Sequence, residues 1–167
     1  TVTWDPDYEF QHGVRLSGPL GFTMENVAVR ECHGDGFYNQ GRTTDGGATY
    51  TPVQDLTIRN SSVYWTGRHA YAIVGLDGYA NSIRNCTADQ MGRGYFSFEP
   101  PGDIHGQVRL TVEDVTLSGD ANGNDTCIYA TGNGATGWGP LVFRRVNFNN
   151  LTKRDFFFYG TNIDIAQ

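Results

Sequence analysis

Four polar side chains in this chain stand beside glycine where an apolar run begins. They are His12 before Gly13, Asp35 between Gly34 and Gly36, Arg68 after Gly67, and Arg93 between Gly92 and Gly94. Aligned on those runs, they form one column of an imidazole, a carboxylate and two guanidiniums. Such a set suits a saccharide, above all an acidic one. Arginine grips a carboxylate with two parallel bonds, histidine binds or moves a proton, and Asp35 can act as acid, base or nucleophile. Glycosidic hydrolysis would need a second carboxylate ~5 to 9 Å away. Glu9, three residues before His12, is the nearest choice. The adjoining glycines would leave the column open to a ligand. The same groups also read as a charge ladder, because Asp35 between His12 and Arg68 alternates sign and would tie neighbouring strands together unaided. Arg93 beside Arg68 does not fit that ladder, since like charges one strand apart repel unless a carboxylate or an anionic ligand stands nearby.

The column exists only if the chain stacks on itself, and a repeat says that it does. Leu56-Thr57-Ile58 leads through Asn60 and Val63 to Gly67 and the run Ala70–Val74, and the same order of features recurs four more times. The central apolar residues Met24, Ile58, Ile83, Val112 and Phe143 are spaced 34, 25, 29 and 31 apart. Each unit is made of short runs alternating with period two, rich in β-branched and aromatic residues and punctuated by Gly, Asn, Asp and Ser. No long window carries a helical stripe. Three short strands per unit of ~25 to 34 residues predict an all-β solenoid, a single-stranded parallel β-helix of about five to six rungs. At ~4.8 Å per rung the four polar groups would fall within roughly 15 Å.

Two residues after each central apolar position stand Asn26, Asn60, Asn85 and Asp114, with Arg145 breaking the set. Asn and Asp suit a left-handed corner, and stacked they could bond to one another as an interior ladder. On this repeat and this column, from Gly13 onward, the chain resembles the right-handed parallel β-helices of the pectate-lyase-like superfamily. That resemblance implies the right hand of the coil. It also implies a polysaccharide as partner, with Arg68 or Arg93 taking the proton alpha to a uronate carboxylate. Lyases of that kind usually hold calcium; no acidic cluster surrounds these arginines, so no cofactor is expected, with calcium left possible but without a clear ligand set. The pieces YEFQHG, GDG, GRHA and FEPPG further resemble a group of actinobacterial and actinobacteriophage β-helix proteins. That likeness marks Glu9, His12, Asp35, Arg68 and Glu99, with Ala70 and Ser97 standing where the group has glycine and aspartate.

Glu99 lies six residues past Arg93, ~20 Å away along a straight strand, so it falls outside the column and could form a second polar group with Asp77, Asp103 and His105. Aromatic residues make up 13% of the chain. Trp65, Tyr71 and their like could stack on sugar rings or pack under loops. With Glu99 and His69, those two complete the candidate substrate-binding set.

A net charge of −6 and a pI near 5.0 argue against a nucleic-acid partner. No run of 18 apolar residues exists to cross a membrane as a helix. Cys32, Cys86 and Cys127 form no metal or redox motif. Cys86 takes the place that Val27, Val115 and Val146 hold in their units and reads as core, and a Cys32–Cys127 bridge would join non-neighbouring rungs. Asn60, Asn85, Asn124 and Asn150 open glycosylation sequons; because two of them are corner residues expected indoors, none is taken as modified.

Residues 1–11 read as an N-terminal arm and residues 12–167 as the β-helix. His12–Gly18 would be the third strand of a rung that begins upstream. With no cap in view, the chain reads as a segment of a longer helix or of a homotrimer. Arg42–Pro52, Glu99–Gly106, Gly119–Asp125 and Gly132–Pro140 read as loops. Phe156–Tyr159 should turn at least one ring outward. Two functions follow as expectations. One is recognition and cleavage, by lyase or hydrolase chemistry, of an extracellular or cell-surface polysaccharide. The other is a non-catalytic part of a phage tail spike, fibre or adhesin.

Overall fold

The computed structural model describes residues 6–8, 10–18, 21–44, 49–77, 80–99, 110–119, 127–131, 141–150, 156–159 and 163–166. After a short 3-10 turn at Pro6–Tyr8, strand β1 (Val14–Ser17) leads into the first full rung, β2 (Thr23–Glu25), β3 (Ala28–Cys32) and β4 (Phe37–Gln40). A hairpin of β5 (Arg42–Thr44) and β6 (Thr49–Thr51) and a short β7 (Val53–Gln54) precede the second rung, β8 (Thr57–Arg59), β9 (Ser62–Thr66) and β10 (His69–Ile73). Next come β11 (Leu76–Asp77) and the third rung, β12 (Asn81–Arg84), β13 (Thr87–Met91) and β14 (Gly94–Phe98). The fourth is β15 (Leu110–Glu113), β16 (Thr116–Ser118) and β17 (Ile128–Thr131). The fifth is β18 (Leu141–Arg144), β19 (Asn147–Asn149) and β20 (Phe156–Tyr159), followed by β21 (Ile163–Ala166).

Like strands of successive rungs pair in parallel. Sheet one runs β2-β8-β12-β15-β18-β21, sheet two β3-β9-β13-β16-β19, and sheet three β1-β4-β10-β14-β17-β20. The chain is a single-stranded parallel β-helix, as its repeat predicts.

The period-two alternation builds the core. Met24, Ile58, Ile83, Val112 and Phe143 fall in register along sheet one and all point inward. Sheet three supplies Phe37, Tyr71 and Phe96 in one inward row. Tyr71 stacks on Phe96 at 5.0 Å, and Phe96 and Phe98 both meet Phe143 edge-on. Each such side chain removed from water contributes roughly 1.5–3 kcal/mol. Cys86 is buried among them as expected, and Cys32, Cys86 and Cys127 are all free thiols. Among the buried polar residues, Asn39 is fully buried with no partner for either side-chain amide atom among the described residues.

Two of the three corners of each rung recur with a left-handed residue. The first is held by Asn26, Asn60, Asn85, Asp114 and Arg145, all left-handed with φ between 48° and 57°. Arg145 therefore belongs to the set. It spans to Asp114 through two bonds of 2.6 and 2.8 Å and also reaches Glu113 at 2.7 Å. The interior ladder does not form: the first-corner side chains face solvent, where Asn60 reaches Glu25 and Arg145 reaches Asp114, and the corner backbone N–H groups run from rung to rung. Asn60 and Asn85 are thus outdoors, and burial gives no reason to dismiss their sequons. The second corner is held by Glu31, Trp65, Gln90, Gly119 and Asn150, again left-handed.

β1 pairs with β4 as the expected strand of an earlier rung. The expected loop at Arg42–Pro52 is in part the antiparallel pair β5–β6. Of the other three expected loops, only Glu99 and Gly119 lie within the described residues. Phe156 is 43% exposed, yet it falls in the inward row of Phe96 and Ile128 and meets Phe148 edge-on at 5.3 Å, so it is not the outward ring expected in Phe156–Tyr159.

Candidate functional site

The strand register decides which polar groups meet. Val14 and Tyr71 both align with Phe37, so two residues earlier His12, Asp35 and His69 stand level. Arg68 and Arg93 fall one residue before that row, beside Gly34, and are linked through the Arg68 carbonyl and the Arg93 N–H at 3.1 Å. The column as aligned from sequence was off by one at Arg68 and Arg93. His69, expected only as a ligand contact, is the residue in register.

Asp35 is the hub. Its side chain is fully buried, and Oδ1 accepts the His69 backbone N–H and faces His69 Nδ1, each at 3.0 Å. Arg68 Nε lies 3.7 Å from the same oxygen. His12, with its side chain 1% exposed, faces Asp35 Oδ2 through Nδ1 at 3.2 Å. That nitrogen also lies 3.1 Å from the Asp35 backbone N–H. One nitrogen cannot donate to the carboxylate and accept from the amide together, so His12 takes one role at a time. In the accepting role the ring proton sits on Nε2, which is buried without a partner among the described residues. Burial alone would raise the Asp35 carboxyl; hydrogen bonds from His12 and His69 and the charges of His69 and Arg68 outweigh it and hold the group well below the carboxylate range. Asp35 is therefore a fixed anion at neutral pH. It cannot donate a proton there, and its burial keeps it from attacking a substrate.

The glycines serve this packing, not ligand access. A Cβ on Gly67 would strike the His33 carbonyl, one on Gly92 the Gly67 carbonyl, and one on Gly36 the Val63 side chain. Because Arg68 has Asp35 as its counter-ion, the Arg68–Arg93 pair also loses its force as an argument for an anionic ligand.

Tyr38 is the residue that sequence reasoning passed over. It points outward on β4 and is half-buried, and His12 stacks on its ring at 4.2 Å and 4°. The Arg15 guanidinium stands 5.9 Å from the ring centre and donates to Gln40 Oε1 at 3.2 Å. Burial first, then the charges of Asp35 and Glu99, raise the Tyr38 hydroxyl despite Arg15 and Arg68. The signal was available, because Tyr38 alternates with the inward Phe37 and Asn39. Glu99 sits past the far end of β14 and accepts the Ser97 hydroxyl at 2.6 Å. Ser97, the departure from the resembled motif, thus supplies a donor where an aspartate would repel.

The remaining candidates scatter. Tyr71 is inside the core and reaches no ligand; burial pushes its hydroxyl well up. Trp65 belongs to the second corner, stacked on Tyr64 at 5.3 Å. Glu9 lies outside the described residues. The arm covers the hub: Phe10 meets His12 edge-on at 6.3 Å and Tyr8 lies 5.4 Å from the His33 ring. Burial pushes the Cys32 thiol up to about 11, so it is no nucleophile. Among the described residues no group of three or more His, Cys, Asp or Glu could hold a metal ion. Compared with known proteins, the chain matches no family model, no curated protein and no solved structure.

Proposed function

We propose that this β-helix recognises an extracellular or cell-surface polysaccharide on the outer face of sheet three. Tyr38, Arg15, Gln40, Arg68 and Glu99 form the contact surface, and the Asp35 hub fixes it from beneath. The observation that carries the reading is Tyr38, an outward aromatic locked between His12 and Arg15. A half-buried tyrosine with cationic donors and a carboxylate around it is the equipment for hydroxyl-rich ligands. The resemblance to pectate-lyase-like and phage-type β-helices supports the same substrate class. Binding without turnover, as in a tail spike, fibre or adhesin, fits best because Asp35 is buried and ionised.

Cleavage is the second reading, and one observation favours it. A carboxylate that holds His69 Nδ1 at 3.0 Å orients the ring so that Nε2 could serve as a base. Tyr38, which keeps its proton above the usual tyrosine range, could then serve as the acid.

The test is a panel of neutral and uronate-containing polysaccharides, scored for binding and for product, with wild type and Tyr38→Ala. Binding to at least one member, weakened roughly tenfold by the substitution, supports recognition. New reducing ends, or the ultraviolet absorbance of an unsaturated uronate, would move the reading to hydrolase or lyase. No binding to any member sinks both.

A further inference from the structure

Sheet two carries a second surface that the hub does not explain. Its outward side chains fall in two rows: Ala28, Ser62, Thr87, Thr116 and Asn147, and Arg30, Tyr64, Asp89, Ser118 and Asn149. Between those rows lies an open groove of about 310 Å³, lined by Arg30, Ser62, Tyr64, Thr87, Asp89 and Ser118. That volume is at the lower end of the ~300–1,000 Å³ usual for small-ligand sites.

The chemistry of the groove is specific. Arg30, Tyr64 and Asp89 are consecutive in register, so the cation and the carboxylate stand two rungs apart, ~10 Å, with the tyrosine between them. Neither makes an ion pair among the described residues. Their charges cancel over the groove, which disfavours a phosphate, a uronate or a polyamine. A carboxylate that accepts from two hydroxyls, a guanidinium that donates to oxygens, three hydroxyl side chains and an aromatic face suit a neutral, polyhydroxylated ligand. The aromatic surface continues into Trp65, stacked on Tyr64 at 5.3 Å and 20°. Trp65 is held at φ 55° in a left-handed corner column that it shares with Glu31, Gln90, Gly119 and Asn150, so that conformation belongs to the corner itself.

We propose that this groove binds a neutral oligosaccharide, with a sugar ring seated over Tyr64 and its hydroxyls spanning Arg30 and Asp89. The site lies on a different sheet from Tyr38 and does not rest on the reading given for sheet three.

The experiment is a titration of the 18.4 kDa chain, followed by backbone amide NMR, with neutral oligosaccharides (gluco-, xylo-, manno- and chito-series) and a uronate oligomer. At least one neutral ligand should shift the amides of Ser62–Thr66 and Thr87–Met91, and Tyr64→Ala or Asp89→Asn should weaken it roughly tenfold. Should Tyr64→Ala unfold, Asp89→Asn and Arg30→Gln still decide the matter. No shift with any neutral series overturns the proposal. So do shifts confined to Phe37–Gln40, which would belong to sheet three, an unchanged affinity in Asp89→Asn and Arg30→Gln, and preference for the uronate.

Discussion

Asp35 joins three successive rungs through His12, its own strand and His69. Removing the charge while keeping the shape should expose what it contributes. Asp35→Asn should lower the unfolding free energy by about 3 kcal/mol at neutral pH, because a buried imidazole–carboxylate cluster loses its anion. The pH dependence follows from the sign of the shift. The folded carboxyl titrates below an unfolded one, so its stabilisation is complete above pH ~4 and is lost as pH falls toward the folded value. Denaturant midpoints of wild type and Asp35→Asn should therefore converge on acidification below pH ~4; a constant gap would contradict the assignment. At this scale the sequence was partly legible. His12 and Asp35 could be paired because each precedes its strand by one glycine, and the glycine pattern invited Arg68 into the row. Only the hydrogen-bond register shows that His69 fills that place and that Tyr71 points inward.

Gly67 and Gly92 stack carbonyl over Cα at the entrance to sheet three, where the chain turns from the second corner. Gly67→Ala should cost about 2 kcal/mol or more, since the new methyl meets backbone that cannot move aside, and a fall in thermal midpoint is the measurement. Restored stability in that variant would mean the carbonyl of His33 can shift. The first corner and the strands were legible from the sequence for one reason, whereas the second corner, held by Glu31, Trp65, Gln90, Gly119 and Asn150, carries no common residue type and was not. Period-two alternation and Asn or Asp at a fixed offset are both backbone demands, and Arg145 met the same demand by bonding Asp114. Which side of the wall the corner side chains take was not legible, because a left-handed residue is compatible with either. The β5–β6 hairpin hid inside a stretch whose Gly and Thr content also describes a loop.

Across the whole molecule, burial is uneven. All five positions of β10 and of β14 are buried, whereas in β19 the outward positions are exposed and Phe148 is only half-covered. Hydrogen exchange should accordingly be slowest in β10 and β14 and faster in β19, since local opening follows buried apolar contact; uniform protection would imply that the solenoid unfolds as a single unit. The first corner has one more implication. Between each sheet-one strand and its sheet-two successor the chain spends two residues in all five rungs: Asn26-Val27, Asn60-Ser61, Asn85-Cys86, Asp114-Val115 and Arg145-Val146. Every difference in unit length is carried elsewhere. The corner is therefore a common joint, and a chain lacking residues 61–85 would splice Asn60 onto Cys86 and regenerate the same turn, one storey shorter.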